Sequence, residues 1–338
     1  MMPDPSYKFS VAPMMDGTDR HCRYFHRLMS RRARLYTEMV TADAVIHGDR
    51  DYLLGFDETE HPLALQLGGS DPHKLTEAAQ IGESFGYDEV NLNVGCPSDR
   101  VQSGAFGACL MASPELVAQC VLEMQAKISI PVTVKCRIGI DEQDPAHVLP
   151  DFIEKVAGAG CKVFIIHARK AWLKGLSPKD NRTIPPLDYE LVFAMKRRWP
   201  DLAIVLNGGL TSLSQCKEYL PFVDGVMLGS EPYANPWILA EVDHQIFGEK
   251  SCDKSRDEIA GMMQDYVERV CCDCRVKPHA ITRHMIGLYR GTPGARAWRR
   301  ALSTHGALAP VDNIMQALEQ VRLHQVQAAE KLHFGGVS

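Results

Sequence analysis

A cysteine stands in a Gly/Pro turn at Asn93-Val94-Gly95-Cys96-Pro97-Ser98-Asp99-Arg100, directly after the β-rich run Glu89–Asn93. A thiol placed there can be an inert buried group, a nucleophile or a proton donor. The turn argues against simple burial, and no histidine neighbours Cys96 in sequence to activate it as a nucleophile. Thiols are mostly protonated at neutral pH, so the residues favour a proton donor. The same punctuation recurs along the chain. Gln66, Lys135, His167 and Asn207 close the apolar runs Leu63–Leu67, Val132–Lys135, Val163–His167 and Ala203–Asn207. Each run delivers a polar group, and the set can bind a polar ring and move protons beside it.

Such residues become neighbours only if their strands share one rim. Strand patterns fall at Phe9–Val11, Leu35–Met39, Leu63–Leu67, Glu89–Asn93, Val132–Cys136, Val163–His167, Ala203–Asn207 and Gly225–Leu228. Helical patterns fall between them near Asp19–Ser30, Pro72–Phe85, Pro114–Lys127, Pro145–Ala159, Asp188–Trp199 and Ser212–Tyr219, several opening on a Ser, Asp or Pro start signal. The link from the second strand to the third shows no clear helix. Eight β/α beats over roughly 230 residues predict a closed TIM (β/α)8 barrel, whose strand C-termini converge on one mouth. An open doubly wound sheet competes, but it would place a Gly-rich turn after its first strand, where this chain has Ala12-Pro13-Met14-Met15. Beyond about residue 240 the β-rich runs stop, and Glu258–Val270, Ala280–Tyr289 and Val311–Leu332 have amphipathic helical patterns. The expectation is a barrel over residues 1–240 and a small all-helical domain over 241–338.

Two glycine turns sit where such barrels hold phosphate: Asn207-Gly208-Gly209 after the seventh strand and Gly229-Ser230 after the eighth. With Lys135 and His167 turned inward they suggest FMN, its phosphate on the two loops and a cation near the ring edge that becomes anionic on reduction. Gln66 could reach the ring's polar rim. No G-x-G-x-x-G opens a helix after a strand, which leaves a nicotinamide-binding Rossmann unit unsupported. Ser103–Gly107 could form a flap over the site.

Composition bounds the rest. The 338 residues carry a net charge of -5, yet basic residues cluster at Arg20–Arg34, Arg169–Arg182 and Arg283–Arg300. Arg169–Arg182 adds Trp172, and Arg283–Arg300 adds Trp298, the mixture that grips phosphates and an unstacked base. Neither patch alone would outweigh an ordinary solvated face; together they favour an RNA partner. Eleven scattered cysteines read as reduced thiols, and Cys271-Cys272-Asp273-Cys274 lacks the spacing of a zinc site, so no metal is expected. No stretch suits a signal peptide or a membrane span, and a cytoplasmic protein without an obligate protein partner is expected.

The motifs Ala12–Met15, Leu92–Arg100, Val134–Arg137, Ile166–Trp172 and Leu206–Gly209 stand in the order in which similar ones stand in the tRNA-dihydrouridine synthases, and the whole chain resembles the A-type bacterial branch of that family. The resemblance implies a bound FMN reduced by NADPH, saturation of the C5–C6 bond of D-loop uridines 20 and 20a in tRNA, and a helical tRNA-binding domain. Position by position it implies Cys96 as the proton donor. Flavin contacts are implied at Pro13, Met14, Met15, Gln66, Lys135, His167, Asn207, Gly208, Gly209, Gly229 and Ser230. Contacts to tRNA are implied at Asn93, Arg137, Lys179, Arg182, Arg296 and Arg299. Many members carry Arg where this chain has Ser230, which removes one cation from the phosphate's surroundings. Two readings compete with this one: an FMN barrel acting on a free pyrimidine, and a noncatalytic RNA-binding protein.

Overall fold

The computed structural model describes residues 4–98, 105–272, 275–304 and 313–334. Eight strands, β1 (Phe9–Val11), β2 (Leu35–Thr41), β3 (Leu63–Gly68), β4 (Glu89–Val94), β5 (Val132–Arg137), β6 (Val163–His167), β7 (Ala203–Asn207) and β8 (Gly225–Leu228), lie in the order β1-β8-β7-β6-β5-β4-β3-β2, all parallel. The seam between β1 and β2 is joined by a parallel bridge at Ser10 and Arg34, where Val11 N donates to Arg34 O and Arg34 N to Phe9 O, both at 3.0 Å. The barrel read from the strand beat is the observed fold.

β3, β4, β6, β7 and β8 are buried along their entire length, as parallel strands with helices outside and side chains inside must be. The outer helices begin where the sequence marks them. Asp71, Asp144, Asp188 and Ser212 each accept a hydrogen bond from a first-turn N–H, and Pro72 and Pro145 follow two of these caps. Between β2 and β3, where no helix is expected, the chain forms two: Ala42–His47, capped by Thr41, and Arg50–Leu54, capped by Asp49. Pieces of this length show no amphipathic period, so only their caps betray them.

Inside the barrel the two halves differ. β6 to β8 contribute small apolar groups, Val163, Ile165, Ala203, Val205 and Met227, that cluster with Tyr7, Ala12, Tyr36 and Ala64. β3 to β5 bring buried polar ones, Gln66, Glu89, Asn91, Asn93 and Thr133. At the floor, Gly225 has no room for a side chain: a Cβ there would lie 1.9 Å from Tyr7 O.

The chain forms two compact units, one of Met1–Arg20 with Arg32–Gly229, the other of His21–Arg31 with Ser230–Ser338. Composition changes near residue 240; the units divide at Gly229 and Ser230, and the segment after β1 joins the helical one. There Tyr24 stacks on Tyr266 with centroids 4.1 Å apart, Ser30 Oγ donates to Asp243 Oδ1 at 2.5 Å, and Arg31 N donates to Asp243 Oδ2 at 2.8 Å.

The helical unit contains Arg256–Cys271, opened by a Ser255/Glu258 capping box, and Asn313–Phe334. The continuous helix expected over Ala280–Tyr289 is instead a short helix, Pro278–Thr282, followed by the 3-10 turn Arg283–Met285. Gly287 follows the turn where the backbone passes close to Ala234 O, a position with no room for a Cβ. A further helix, Ala295–Thr304, lies in the segment read only as basic. Of the earlier expectations, Asp99 and Arg100 of the cysteine motif, Ser103 and Gly104 of the flap, and Asp273 and Cys274 of the cysteine cluster lie outside the described residues.

Gly225→Ala should lower unfolding stability by more than about 3 kcal/mol in a urea melt, the range of severe backbone and packing clashes. A loss under about 1 kcal/mol would mean that the barrel floor yields.

Candidate active site

The turn after β4 is held from three sides. Asn93 Oδ1 accepts from Gly95 N at 3.1 Å and Cys96 N at 2.9 Å. Ala108 N donates to Cys96 O at 2.9 Å, and Arg137 Nε donates to Gly95 O at 3.2 Å. Cys96 stays half-exposed, its Sγ 3.5 Å from Ser98 Oγ. A thiol presented on a fixed turn with one face open can meet a substrate atom, which an immured one cannot.

Asn93 Nδ2 donates to Gln66 Oε1 at 2.8 Å, and Gln66 Nε2 donates to Asn91 Oδ1 at 2.8 Å. Gln66 and Asn93 therefore each keep one N–H with no partner among the described residues. The strands place Lys135 beside Asn93 in register, Arg137 beside His167 and His167 beside Asn207. Lys135 Nζ donates to Asn207 Oδ1 at 3.0 Å, and Asn207 Nδ2 donates to Met227 O at 2.8 Å, which sets the orientation of that amide.

Burial, reinforced by the guanidinium of Arg137, pulls the Lys135 pKa down to about 8. Its side chain is half-buried. Burial and the cations Arg137 and Lys135 push His167 well below the ordinary histidine range, so its imidazole is neutral at pH 7. Its Nε2 is buried with no hydrogen-bond partner among the described residues. A buried ring nitrogen left open is costly unless a ligand completes it.

Gly208 and Gly209 follow with φ of 107° and 72°, a conformation that side chains disfavour. A Cβ on Gly208 would lie 2.8 Å from His167 Nε2, filling the space beside that open nitrogen. Tyr189 OH donates to Gly208 O at 2.6 Å and holds the turn in place. Gly229 faces open space, with only Ala12 Cβ at 4.0 Å from where its side chain would be. Pro13 and Met14 are half-buried and Met15 is 56% exposed in the turn after β1, which Met14 N closes on Thr18 Oγ1 at 2.9 Å. Ser230 opens the short helix Ser230–Ala234 of the helical unit.

The arginines and lysines divide by burial. Arg137 is 3% exposed, and beyond Gly95 its Nη1 donates to Asn181 O at 2.9 Å and Lys170 O at 3.3 Å. It ties the cysteine turn to the loop after β6, and burial draws its pKa down to about 10. That is a clamp, where a direct RNA contact was expected. Asn181, which sequence reasoning passed over, is fully buried and staples the same loop: its Oδ1 accepts from Trp172 N at 2.7 Å and its Nδ2 donates to Trp172 O at 2.9 Å. Lys174, Lys179 and Arg182 remain exposed with no side-chain partner among the described residues, while Lys170 packs over the Trp172 ring at 5.2 Å.

In the helical unit, Arg296 and Arg299 are exposed and line a groove of about 960 Å³ with Gln316, Gln320 and His324. Trp298, expected as a stacking surface, is fully buried instead, its Nε1 donating to Met285 O at 2.8 Å. Its position on the inner face of Ala295–Thr304 makes it core.

The sequence pattern of the dihydrouridine synthase family matches residues 10–324. The chain belongs to that family. It is 58% identical over 320 residues to the tRNA-dihydrouridine(20/20a) synthase of Salmonella typhimurium (strain LT2), covering 94% of this chain and 96% of the relative. The enzyme of the same name from Escherichia coli (strain K12) is 57% identical, with 94% and 92% covered, and that of Vibrio cholerae 54%, with 94% and 97% covered. Among solved structures, morphinone reductase superposes with a TM-score of 0.51 at 11% identity, covering 75% of this chain and 88% of its own. A 2-naphthoyl-CoA reductase reaches 0.53 at 9% identity, covering 70% and 49%. At such identities the likeness is one of fold. The family is one of flavin-dependent oxidoreductases, and the open Nε2 of His167, the glycine turns and the half-buried ammonium of Lys135 fit a flavin of this kind.

If Lys135 faces an anionic part of the cofactor, its charge is restored on binding, and above about pH 8 the empty protein must take up a proton to bind. Flavin affinity of the apoprotein, read by fluorescence quenching, should then fall by up to about tenfold per pH unit above that point. In the empty protein the sign is opposite: with its folded pKa below the ordinary 10.5, Lys135 adds stability as pH rises from about 8 towards 10.5. Lys135→Met should flatten both slopes, and an unchanged affinity slope in that variant would remove Lys135 from the site.

Proposed function

We propose that this protein reduces the C5–C6 double bond of uridine in tRNA to 5,6-dihydrouridine, at positions 20 and 20a, using FMN recharged by NADPH. Near-full-length identity of 58% to a tRNA-dihydrouridine(20/20a) synthase carries the reading. A mononucleotide suits two glycine turns with room for one phosphate, and the chain has no Gly-rich fingerprint for holding a dinucleotide. A tRNA substrate supports a cytoplasmic location. Among the described residues no helix is long and apolar enough to cross a membrane.

When bound, the flavin supplies the hydride for uracil C6. The chain supplies the rest. Cys96 holds the matching proton on Sγ for C5, so that one hydride and one proton saturate the bond. Asn93 and Gln66, each with an uncommitted N–H, orient polar edges at the mouth, Asn93 towards the uracil and Gln66 towards the cofactor. Lys135 and His167 would hold the cofactor's polar edge, with Pro13, Met14 and Met15 beside it, and Gly208, Gly209, Gly229 and Ser230 would offer N–H groups to its phosphate.

The uracil must leave its stack, at a cost of a few kcal/mol. Lys179 and Arg182 on the barrel's own loop, and Arg296 and Arg299 on the helical unit, offset this by holding phosphates. Arg137 serves by tethering the loop that carries Lys179 and Arg182. A reductase of free pyrimidines would leave these exposed cations without a purpose.

Cys96→Ala should purify with its flavin and be reduced by NADPH, yet reoxidise with tRNA at least about a hundredfold more slowly, the usual contribution of a positioned acid. Wild-type reoxidation would remove Cys96 from the chemistry. Mapping dihydrouridine on tRNA from cells lacking the gene should show its loss at positions 20 and 20a alone; intact modification there would overturn the assignment.

A further inference from the structure

Below the cysteine turn a row of side chains crosses the inside of the barrel, and every hydrogen in it runs one way. Gly95 and Cys96 N–H donate to Asn93 Oδ1, Asn93 Nδ2 to Gln66 Oε1, Gln66 Nε2 to Asn91 Oδ1, and Asn91 Nδ2 to Thr133 Oγ1 at 2.7 Å. The Thr133 hydroxyl then donates to Glu89 Oε1. Glu89, Asn91 and Thr133 are fully buried, and Gln66 is 1% exposed.

The two ends dictate the polarity. Backbone N–H groups can only donate, so Asn93 must turn its oxygen towards the turn. The Glu89 carboxylate, also bonded by Arg34 Nη1 at 2.9 Å and Tyr36 OH at 3.1 Å, only accepts, so Thr133 must spend its hydrogen there and take one from Asn91. Three carboxamides, each with two possible orientations, are thereby locked in one. Reversing any of them sets N–H against N–H or oxygen against oxygen with its neighbour.

We propose that Thr133 and Asn91 are positioning residues for Cys96: through Gln66 and Asn93 they transmit the acceptor character of Glu89 to the turn that carries the thiol. Neither touches the turn. Without the Thr133 hydroxyl, Asn91 Nδ2 is buried with no acceptor, and reversing the three amides moves that defect from Asn91 to the turn. Asn93 would then present N–H to the N–H groups of Gly95 and Cys96, and the turn would be released. The proposal's catalytic meaning rests on Cys96 being the proton donor; its structural content does not.

The test is Thr133→Val, of the same shape without the hydroxyl, with Thr133→Ser as rescue, both as full-length flavin-bound enzyme. Two quantities are read: the rate at which iodoacetamide alkylates Cys96, followed by peptide mass mapping, and the rate of tRNA-dependent reoxidation. In Thr133→Val, alkylation should quicken and reoxidation slow, each by about tenfold, the equivalent of one buried unpaired donor, with flavin content retained. Thr133→Ser, which lacks the methyl and keeps the hydroxyl, should restore both. If Thr133→Val does not fold, Thr133→Ala carries the same measurement. A folded variant whose Cys96 alkylates at the wild-type rate overturns the relay, whatever its turnover. Faster alkylation, rescued by serine, with reoxidation unchanged leaves the relay standing and removes Cys96 from the proposed chemistry.

Discussion

The interior of this barrel depends on the ion pair between Arg34 and Glu89. Arg34 Nη1 lies 2.9 Å from Glu89 Oε2, both side chains almost wholly removed from solvent. The guanidinium also reaches Asp4 Oδ2 at 2.7 Å and stacks over the Tyr7 ring at 4.4 Å, while the backbone of the same arginine joins β1 to β2. One residue thus closes the strand circle and neutralises the acid beneath the site. Removing a single partner of such a pair strands a buried charge, at a cost of about 3–5 kcal/mol. Replacing both by apolar groups would keep the barrel and erase the polarity that reaches the mouth.

That polarity is confined to one side. β6 to β8 fill their share of the lumen with aliphatic groups and leave glycine turns at their ends, suited to the flat faces and phosphate of a cofactor. β3 to β5 carry amides, a hydroxyl, an acid and a lysine, suited to orienting a uracil and a thiol. Lys135 lies where the two halves meet, bonded across to Asn207. Its weakened grip on a proton follows from that position: desolvated from one side, and near the cation of Arg137 on the other. A cation destabilised in the empty protein binds an anionic group more strongly, because the cost of burial has already been met by the fold.

Cations elsewhere separate into two kinds by the same criterion. Arg137, and Lys170 with its Nζ on Asp141 O at 2.6 Å, spend their donors on carbonyls and shape loops. Lys174, Lys179 and Arg182 spend none among the described residues and stay exposed. The helical unit repeats the division, with Trp298 inside as ballast for the core and Arg296 and Arg299 outside. An arginine count does not distinguish clamp from contact; burial does.

How much was legible beforehand depends on the range of the interaction. The barrel could be read because buried parallel strands are uninterrupted apolar runs and their exits carry turn residues, both local signals. Cys96, Lys135, His167 and the glycine turns stood out for the same reason. The short helices Ala42–His47 and Arg50–Leu54 did not, being too brief to show a period. Asn91, Thr133 and Glu89 looked like strand interior, and nothing local marks a threonine as the link between an amide and an acid of the neighbouring strand. Arg137 looked like a partner for RNA because its burial is settled by loops distant in sequence. The chain order of residue types therefore determined which groups reach the rim, since that follows from strand period alone. Which of them are free to react, and which are already bonded to one another, was decided only when the strands closed into a circle and brought side chains remote in sequence within hydrogen-bond reach.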